Sequence, residues 1–199
     1  MNRSIAFIAA MLISVVAAAQ HRDTPARHIN VGLRAGMNHY TINNNSEIEN
    51  NPIFGFHFGW IGHIYLNKSF AVQPGVVYST QGTTYTLDNE KINYHLNYFN
   101  VPVLFQYMFD NGLRLQAGPQ GGFLFDARSK TGDSEKNSRG DVKYFELAFS
   151  IGAGYGFPRS GLGIDIRYNH GITYIDRGGK LDSTNRGFQL GLFYIYNNK

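Results

Sequence analysis

Eight segments of the chain alternate apolar and polar side chains with a period of two, and this alternation constrains the fold more than any other feature of the sequence. In the segment 29–38 every odd-numbered residue is apolar, whereas the even-numbered positions include Arg34 and Asn38. Such alternation is typical of β-strands with one apolar face. Most of the segments are long enough to cross a bilayer at a tilt, which takes about 9–11 residues. The eight segments are 29–38, 53–66, 69–81, 92–108, 112–126, 143–157, 162–174 and 187–196.

One of these segments, 92–108, alternates less cleanly than the others. A regular apolar row runs from Phe99 to Tyr107, but the phase before Tyr98 is ambiguous. A break in phase of this kind predicts a β-bulge, because one extra residue reverses the faces of all the residues that follow it.

The connections between the segments alternate between short and long. Short connections lie at 67–68, 110–112 and 158–161, and long polar connections lie at 39–52, 82–91, 127–142 and 175–186. An up-and-down barrel with short turns at one end and long loops at the other has this arrangement. An even number of strands places both termini at the short-turn end, which for a barrel in the outer membrane is the periplasmic end.

The positions of the charges decide which face of the strands points outward. A soluble lipocalin-type barrel would keep its apolar row inside, but the Gly-x-Trp signature of that family is absent. Only 16% of the residues are charged, against roughly 25% in soluble domains. The charges within the strands share the row opposite the apolar one, and an Arg or Lys that faces lipid costs roughly 2–4 kcal/mol. The sequence therefore predicts an all-β, eight-stranded, antiparallel up-and-down transmembrane barrel.

Aromatic residues near the ends of the predicted strands suit the girdles that flank the apolar band of a membrane barrel. We assign eight residues to these girdles: Tyr40, Trp60, Tyr78, Tyr107, Phe157, Tyr174, Tyr194 and Tyr196.

The N-terminal residues have the features of a cleaved secretory signal. Arg3 supplies the positive charge, the residues 5–16 form an apolar stretch too short to span a bilayer, and three alanines at 17–19 suit a cleavage site. We therefore divide the chain into four parts. These are a signal peptide at 1–19, a periplasmic segment at 20–28, the barrel at 29–196 and a tail at 197–199.

Four stretches of the sequence carry a resemblance to a known family. They are Val72-Gln73-Pro74-Gly75 with Tyr78-Ser79 and Gly82, Tyr98-Phe99-Asn100-Val101-Pro102, Gly118-Pro119 with Gly121-Gly122, and Asp165-Ile166-Arg167-Tyr168 with Gly171. With these stretches the chain resembles the outer-membrane β-barrel family common in Bacteroidota, often called porin-like or PorT-like. The resemblance implies eight strands and an outer-membrane location, and it implies no common biochemical activity. One departure is that residues 197–199 follow the aromatic Tyr196, where such barrels usually end on an aromatic residue.

The charged residues of the inward row are the first candidates for a functional site. They are Arg34, Arg114, Asp126, Glu146, Asp165 and Arg167. This lumen charge network could line a selective pore, or it could be a hydrogen-bonded plug. Eight strands leave a lumen only just wide enough for side chains, and buried charges must be paired in any case. We therefore expect a plug, in which the glycines of the same row make room for the long arginine side chains.

The histidines are the second candidates, and they favour neither a metal site nor catalysis. His57 and His63 lie about 20 Å apart along a strand and cannot chelate one ion by themselves. His39, His95 and His170 lie near predicted loop ends, where a lipid-modifying hydrolase would place a base. The His-x-Ser pair of lipid A deacylases is absent, however, and a chain without Cys has no thiol chemistry. We expect no catalytic, cofactor or metal site.

These observations together predict a non-enzymatic outer-membrane scaffold for binding, adhesion or envelope integrity. The alternatives are an accessory subunit of a secretion or assembly machine, as a PorT-like protein would be, a small-solute pore, and a lipid A-modifying enzyme. The expected partners are outer-membrane lipid and lipopolysaccharide, the barrel insertion machinery and, as a further candidate, an envelope protein. Nucleic acid is not expected, because the loop around 126–143 mixes both signs of charge without aromatic residues.

Overall fold

The computed structural model describes residues 29–43, 50–87, 90–132, 134–178 and 182–196. The predicted signal peptide, the segment 20–28 and the tail 197–199 lie outside the described residues. Within the described ranges, no helix is long and apolar enough to cross a membrane. The strands are β1 (Ile29–Asn43), β2 (Asn50–Tyr65), β3 (Phe70–Leu87), β4 (Glu90–Met108), β5 (Leu113–Thr131), β6 (Ser134–Asn137), β7 (Phe145–Gly156), β8 (Leu162–Gly171) and β9 (Thr184–Tyr196).

Eight of these strands close into a barrel, which confirms the predicted fold class. Each strand pairs antiparallel with its neighbours in the order β1-β2-β3-β4-β5-β7-β8-β9, and β9 pairs back onto β1. The additional strand, β6, is a short hairpin partner of the far end of β5, where Arg128 faces Asn137 and Thr131 faces Ser134. Closure leaves no free edge along the paired part of the barrel.

The two faces of the barrel are the ones that the charges predict. The outward row of β1 includes Val31, Leu33 and Met37, all exposed, and the inward row includes Arg34 and Asn38, both buried. The outer surface is therefore the apolar one, as lipid requires.

The prediction that Tyr40 belongs to an aromatic girdle is wrong. Its side chain is only 2% exposed, and its hydroxyl accepts a hydrogen bond from Asn169 Nδ2 at 2.7 Å. Tyr40 shares its even-numbered row with Arg34 and Asn38, so the period of two directs it into the lumen, although its position near a strand end suits a girdle.

The predicted bulge is present, but the extra residue lies on β5 rather than on β4. Asn97 pairs with Asp126 and Tyr98 pairs with Leu124, so Phe125 has no partner on β4. Leu96 and Tyr98 both point inward, and the alternation of β4 is therefore continuous. The ambiguity in the sequence comes from apolar residues on both rows of β4, whereas the break in register belongs to its neighbour.

The barrel wall is tall on one side and short on the other. Strands β3, β4 and β5 have 18, 19 and 19 residues, whereas β8 and β9 have 10 and 13. Beyond Tyr78, Phe99 and Phe125, the outer face of the tall side changes from apolar to polar, with residues such as Thr84 and Arg128. This part of the wall therefore extends past the apolar belt into water.

The extension of the wall corrects two of the predicted loops. In the predicted loop 82–91, β3 and β4 continue as a ladder that ends at Leu87 and Glu90, and the predicted loop 127–142 contains the end of β5 and all of β6. Outside the membrane neither row needs to be apolar, so the alternation disappears while the backbone pairing continues.

Candidate functional site

A group of buried, charged and amide side chains crosses the middle of the lumen. Arg34 on β1 donates from Nη2 to Asp165 Oδ1 on β8 at 2.8 Å, and Arg167 donates from Nη2 to Asp165 Oδ2 at 2.8 Å. The side chains of Arg34 and Asp165 are 0% and 3% exposed. Two amides complete the group: Arg34 Nη1 donates to Gln189 Oε1 at 3.2 Å, and Arg167 Nη2 donates to Gln73 Oε1 at 2.7 Å. We call these five residues the lumen brace.

The lumen brace joins opposite walls of the barrel. Gln73 lies on β3 and Arg167 on β8, which are four strands apart in either direction around the ring. A direct hydrogen bond of 2.7 Å between them therefore spans the full width of the lumen. Both carboxylate oxygens of Asp165 accept hydrogen bonds from guanidinium groups, so the buried charges are paired, as buried charges must be.

Three glycines provide the space that the arginine side chains occupy. A Cβ at Gly191 would lie 3.2 Å from Arg34 Cζ, and a Cβ at Gly152 would lie 3.1 Å from Arg167 Cγ. At Gly156 it would lie 2.5 Å from Arg114 Nη2. The proposed role of inward glycines beside long side chains thus agrees with the distances.

Glu146 and Arg114, which the sequence places in one network, lie apart from the brace. Glu146 Oε2 accepts from Asn185 Nδ2 at 2.6 Å, and that amide also lies 3.5 Å from the Tyr98 hydroxyl on the opposite wall. The guanidinium of Arg114 lies 5.0 Å from the centroid of the Phe193 ring, towards the short-turn end. The predicted network is therefore one brace, with a hydrogen-bonded carboxylate at Glu146 and a cation–π contact at Arg114 at other levels of the lumen.

Asp126 is the residue that the sequence places on the wrong face. The unpaired Phe125 shifts the phase of β5, so that Ala127 points inward and Asp126 does not. Asp126 Oδ2 accepts from Arg128 Nε at 2.7 Å, and Arg128 Nη1 donates to Glu135 Oε1 at 2.9 Å. This exterior cluster of three charges lies on the tall side of the wall, and the Arg128 side chain is 57% exposed.

The histidines take up structural positions. His57 is buried beside the brace, with Nδ1 at 2.7 Å from Asn38 Oδ1, and His63 contacts the Tyr65 ring at a centroid distance of 4.4 Å. His39 packs against Phe54, with the two ring centroids 4.7 Å apart. Among the residues that the structure describes, no group of three or more His, Asp or Glu could hold a metal ion.

A second feature, which the sequence did not predict, lies at the long-loop end. There a cavity of about 410 Å³, which we call the chamber, opens above the lumen. Apolar and aromatic residues and hydroxyl groups make up most of its lining: Ile42, Thr83, Tyr85, Tyr94, Ser129, Ser138, Val142, Ile175 and Ser183, together with Asn50. The charged residues that the structure describes in the lining are Lys136, Asp141 and Asp176.

The floor of the chamber is a buried apolar cluster. Ile42, Val142 and Ile175 of the lining pack with Leu96 and Leu124 below them, and all five are nearly inaccessible to solvent. Near the long loops the interior of the barrel therefore contains an apolar cluster as well as buried polar side chains such as Gln81 and Asn185. This cluster separates the chamber from the polar lumen.

The segments around Val142 and Ile175, which connect β6 to β7 and β8 to β9, form the side of the chamber opposite the tall wall. Val142 and Asp176 form a β-bridge, Lys143 N donates to the carbonyl oxygen of Ile175 at 2.7 Å, and Arg177 N donates to that of Asp141 at 3.0 Å. Ile175 N donates in turn to the carbonyl oxygen of Ser183 at 2.8 Å. Backbone hydrogen bonds thus hold the two connections together.

Carboxylate charge acts on the aromatic part of the chamber. Burial raises the pKa of Tyr94, which lies beyond the apolar belt, to about 12, and the carboxylate of Asp141 adds to this shift. Burial and Asp141 likewise raise the pKa of Tyr85. Both phenols therefore remain neutral at physiological pH, and Asp141 lies close enough to influence both rings.

A family model decides the class of protein to which this barrel belongs. The model of a family described as outer membrane protein beta-barrel domain matches residues 18–177. The chain belongs to this family. Its location is therefore the outer membrane.

Solved structures of other outer-membrane barrels share the fold. Neisserial surface protein A has a TM-score of 0.60 and 11% identity, with 83% of this chain and 97% of that chain covered. Ail, the attachment invasion locus protein of Yersinia pestis, in complex with the heparin analogue sucrose octasulfate, has a TM-score of 0.51 and 14% identity, with 85% and 99% covered. At these identities the likeness concerns the fold. No curated protein matches the chain.

The sequence of this outer-membrane barrel carries no clear signal for the chamber. On the inward row of β4, Tyr94, Leu96 and Tyr98 lie near the chamber, but Leu104, further along the same row, is also buried. Apolar residues on the inward row therefore do not by themselves mark the level of the chamber.

Proposed function

We propose that this outer-membrane barrel is a sealed, non-enzymatic scaffold that binds through its long-loop end. The carrying observation is the hydrogen bond between Gln73 and Arg167, which joins opposite walls in the middle of the lumen. Because the lumen is closed at this level, and the buried apolar cluster lies above it, we expect binding to take place on the surface of the barrel. Loops on a rigid scaffold are where binding residues concentrate.

The conductance of the pure protein tests the sealed lumen. We expect the refolded barrel to show negligible single-channel conductance in planar lipid bilayers, because eight strands leave room for side chains and little else. A wide porin inserted under the same conditions is the positive control. Steady, reproducible openings from the pure protein would favour the small-solute pore.

In the proposed orientation, the long-loop end faces the cell exterior and both termini face the periplasm. The chain contains no Cys, so single cysteines give unambiguous labels. A membrane-impermeant maleimide on intact cells should label Lys136→Cys at the long-loop end and leave Lys68→Cys, in the turn between β2 and β3, unlabelled. Both lysines are exposed, which makes them a matched pair. Labelling of Lys68→Cys alone would reverse the orientation.

The proposed partners follow from this orientation. Outer-membrane lipid surrounds the apolar belt, lipopolysaccharide surrounds the long-loop end, and the insertion machinery contacts the barrel during assembly. Unchanged lipid A mass spectra in a deletion strain would support the absence of enzymatic activity. The gain or loss of an acyl chain would show a lipid A-modifying enzyme.

A second candidate is an accessory subunit of a secretion or assembly machine. The resemblance of the four motif stretches to the PorT-like barrels of Bacteroidota favours it. Photo-crosslinking in cells from position 136, followed by mass spectrometry, distinguishes the two. A single stoichiometric protein partner would identify the accessory subunit, whereas crosslinks to lipopolysaccharide alone would leave a surface barrel.

A further inference from the structure

We propose that the chamber is a binding site for a small organic cation, an ammonium group attached to an apolar body. The proposal deepens the proposed function, since it assigns a ligand class to the long-loop end. It rests on the chamber's volume, its mixed lining and its balance of charge.

The size and lining of the chamber suit a small molecule with an apolar part. A volume of about 410 Å³ falls in the usual range of small-molecule pockets, roughly 300–1,000 Å³. Ile42, Val142 and Ile175 provide an apolar surface that is already buried against the cluster below. An apolar body placed here would lose its contact with water without forcing the floor to rearrange.

The charges of the chamber favour a cation. Among the described residues of its lining, two carboxylates, Asp141 and Asp176, and one ammonium group, Lys136, carry charge, so their formal sum is negative. Two phenol rings, Tyr85 and Tyr94, line the same space. A carboxylate beside aromatic faces is the combination that attracts an ammonium ion, through Coulomb attraction and through the negative face of each ring.

Four hydroxyl groups of the lining, those of Thr83, Tyr94, Ser129 and Ser138, already have partners within the protein. Ser138 Oγ donates to Ser129 Oγ at 3.2 Å, and the Tyr94 hydroxyl lies 3.5 Å from the carbonyl oxygen of Ser138. Thr83 Oγ1 donates to the carbonyl oxygen of Asn51 at 3.0 Å. These four hydroxyl groups therefore contribute less to the choice of ligand than the charged residues of the lining do.

The chamber is also held in shape before any ligand arrives. The backbone hydrogen bonds between the segments around Val142 and Ile175 fix its side against the tall wall. Binding therefore costs little ordering of these two segments, and a small ligand can bind measurably.

Three probes of similar shape and different charge test the proposal. They are phenethylammonium, 2-phenylethanol and phenylacetate, titrated onto the full barrel in zwitterionic lipid nanodiscs and followed by saturation-transfer NMR, with empty nanodiscs as the reference. We expect phenethylammonium to bind about tenfold more tightly than the alcohol, a difference of about 1.4 kcal/mol, and phenylacetate to bind most weakly.

Substitutions locate the binding in the chamber. Asp141→Asn should bring the affinity for phenethylammonium to within about threefold of that for the alcohol, because the remaining charges of Asp176 and Lys136 are opposite in sign and the rings alone add a small preference for the cation. Asp110→Asn, the same change in the turn between β4 and β5, should leave both affinities unchanged. Tyr85→Ala, at a half-buried position outside the membrane, should weaken the binding of both probes and leave the barrel folded.

Several results would overturn the assignment. Equal affinities of the wild type for the ammonium ion and the alcohol, tightest binding of phenylacetate, or an undiminished preference of about tenfold for the ammonium ion in Asp141→Asn would each exclude the chamber as a cation site. These outcomes are separate from a failure of the proposed function. Labelling of Lys68→Cys alone would reverse the orientation while leaving a cation preference in nanodiscs intact.

Discussion

This barrel contains two clusters of three charges whose ion-pair distances are nearly equal, although one cluster is buried in the lumen and the other lies on the exterior. The lumen brace contains two arginines around Asp165, and the exterior cluster contains two carboxylates around Arg128. Their ion pairs measure 2.8 Å inside and 2.7 to 2.9 Å outside. The comparison shows that distance does not measure the worth of an ion pair, because solvent screens the exterior charges and leaves the buried ones fully dependent on their partners.

The comparison also separates two roles of charge in one protein. Inside, the charged groups fill a space that water would otherwise occupy and connect strands that are far apart in the sequence. Outside, they lie on neighbouring residues of β5 and β6 and make the extended wall compatible with water.

The largest expected difference comes from removing the shared carboxylate of the brace. Asp165→Asn leaves Arg34 and Arg167 buried without a counter-charge and should lower the free energy of unfolding by about 3–5 kcal/mol. Urea unfolding in lipid vesicles, followed by the fluorescence of the single tryptophan, Trp60, measures the change. The matched control is Asp126→Asn in the exterior cluster. If the two variants unfolded at the same urea concentration, the brace would contribute no more than the exterior cluster.

A smaller effect is expected from filling the space beside the brace. A Cβ at Gly191 would lie 3.0 Å from both Asp165 Oδ1 and His57 Nε2, so Gly191→Ala forces the brace to shift and should cost about 1–3 kcal/mol. A Cβ at Gly140, on the exterior connection, would meet nothing within 4 Å. The same unfolding assay should find Gly140→Ala close to the wild type. A neutral Gly191→Ala would show that the brace is loosely packed.

The smallest effect is expected in the exterior cluster itself. Arg128→Ala should leave the urea midpoint indistinguishable from that of the wild type, because the carboxylates of the partly exposed Asp126 and the exposed Glu135 reach solvent without their partner. Raising the salt concentration to about 1 M shortens the screening length to about 3 Å and should leave this result unchanged. A clear loss of stability at low salt that disappears at high salt would reveal a stronger exterior cluster than exposure predicts.

Much of the brace could be predicted from the residues alone. Arg34, Asp165 and Arg167 occupy the row opposite the apolar one, and a charge on that row must face the lumen because lipid would exclude it. The partners within the brace could not be predicted, since Arg34 and Asp165 are 131 positions apart. Their contact depends on β9 lying between β1 and β8.

Asp126 shows where the period of two stops being informative. Its residue type and its place in the alternation agree with Arg114 and Gln116 on the same strand, yet one unpaired residue, Phe125, reverses the faces beyond it. A bulge depends on the pairing between two strands. The sequence of one strand therefore does not show where it falls.

The sequence by itself determined the strands, their closure into a barrel and the lipid-facing surface, because the membrane allows only one arrangement of apolar and charged rows. It also determined that the arginines of the lumen would need small neighbours. Tertiary structure alone decided which charges meet, which wall rises above the membrane and where the chamber lies. Each of these depends on strand register and on contacts between distant segments, such as those around Val142 and Ile175. Outside the membrane the strands need no apolar row, so the sequence carries no alternation from which the extended wall and the chamber could be predicted.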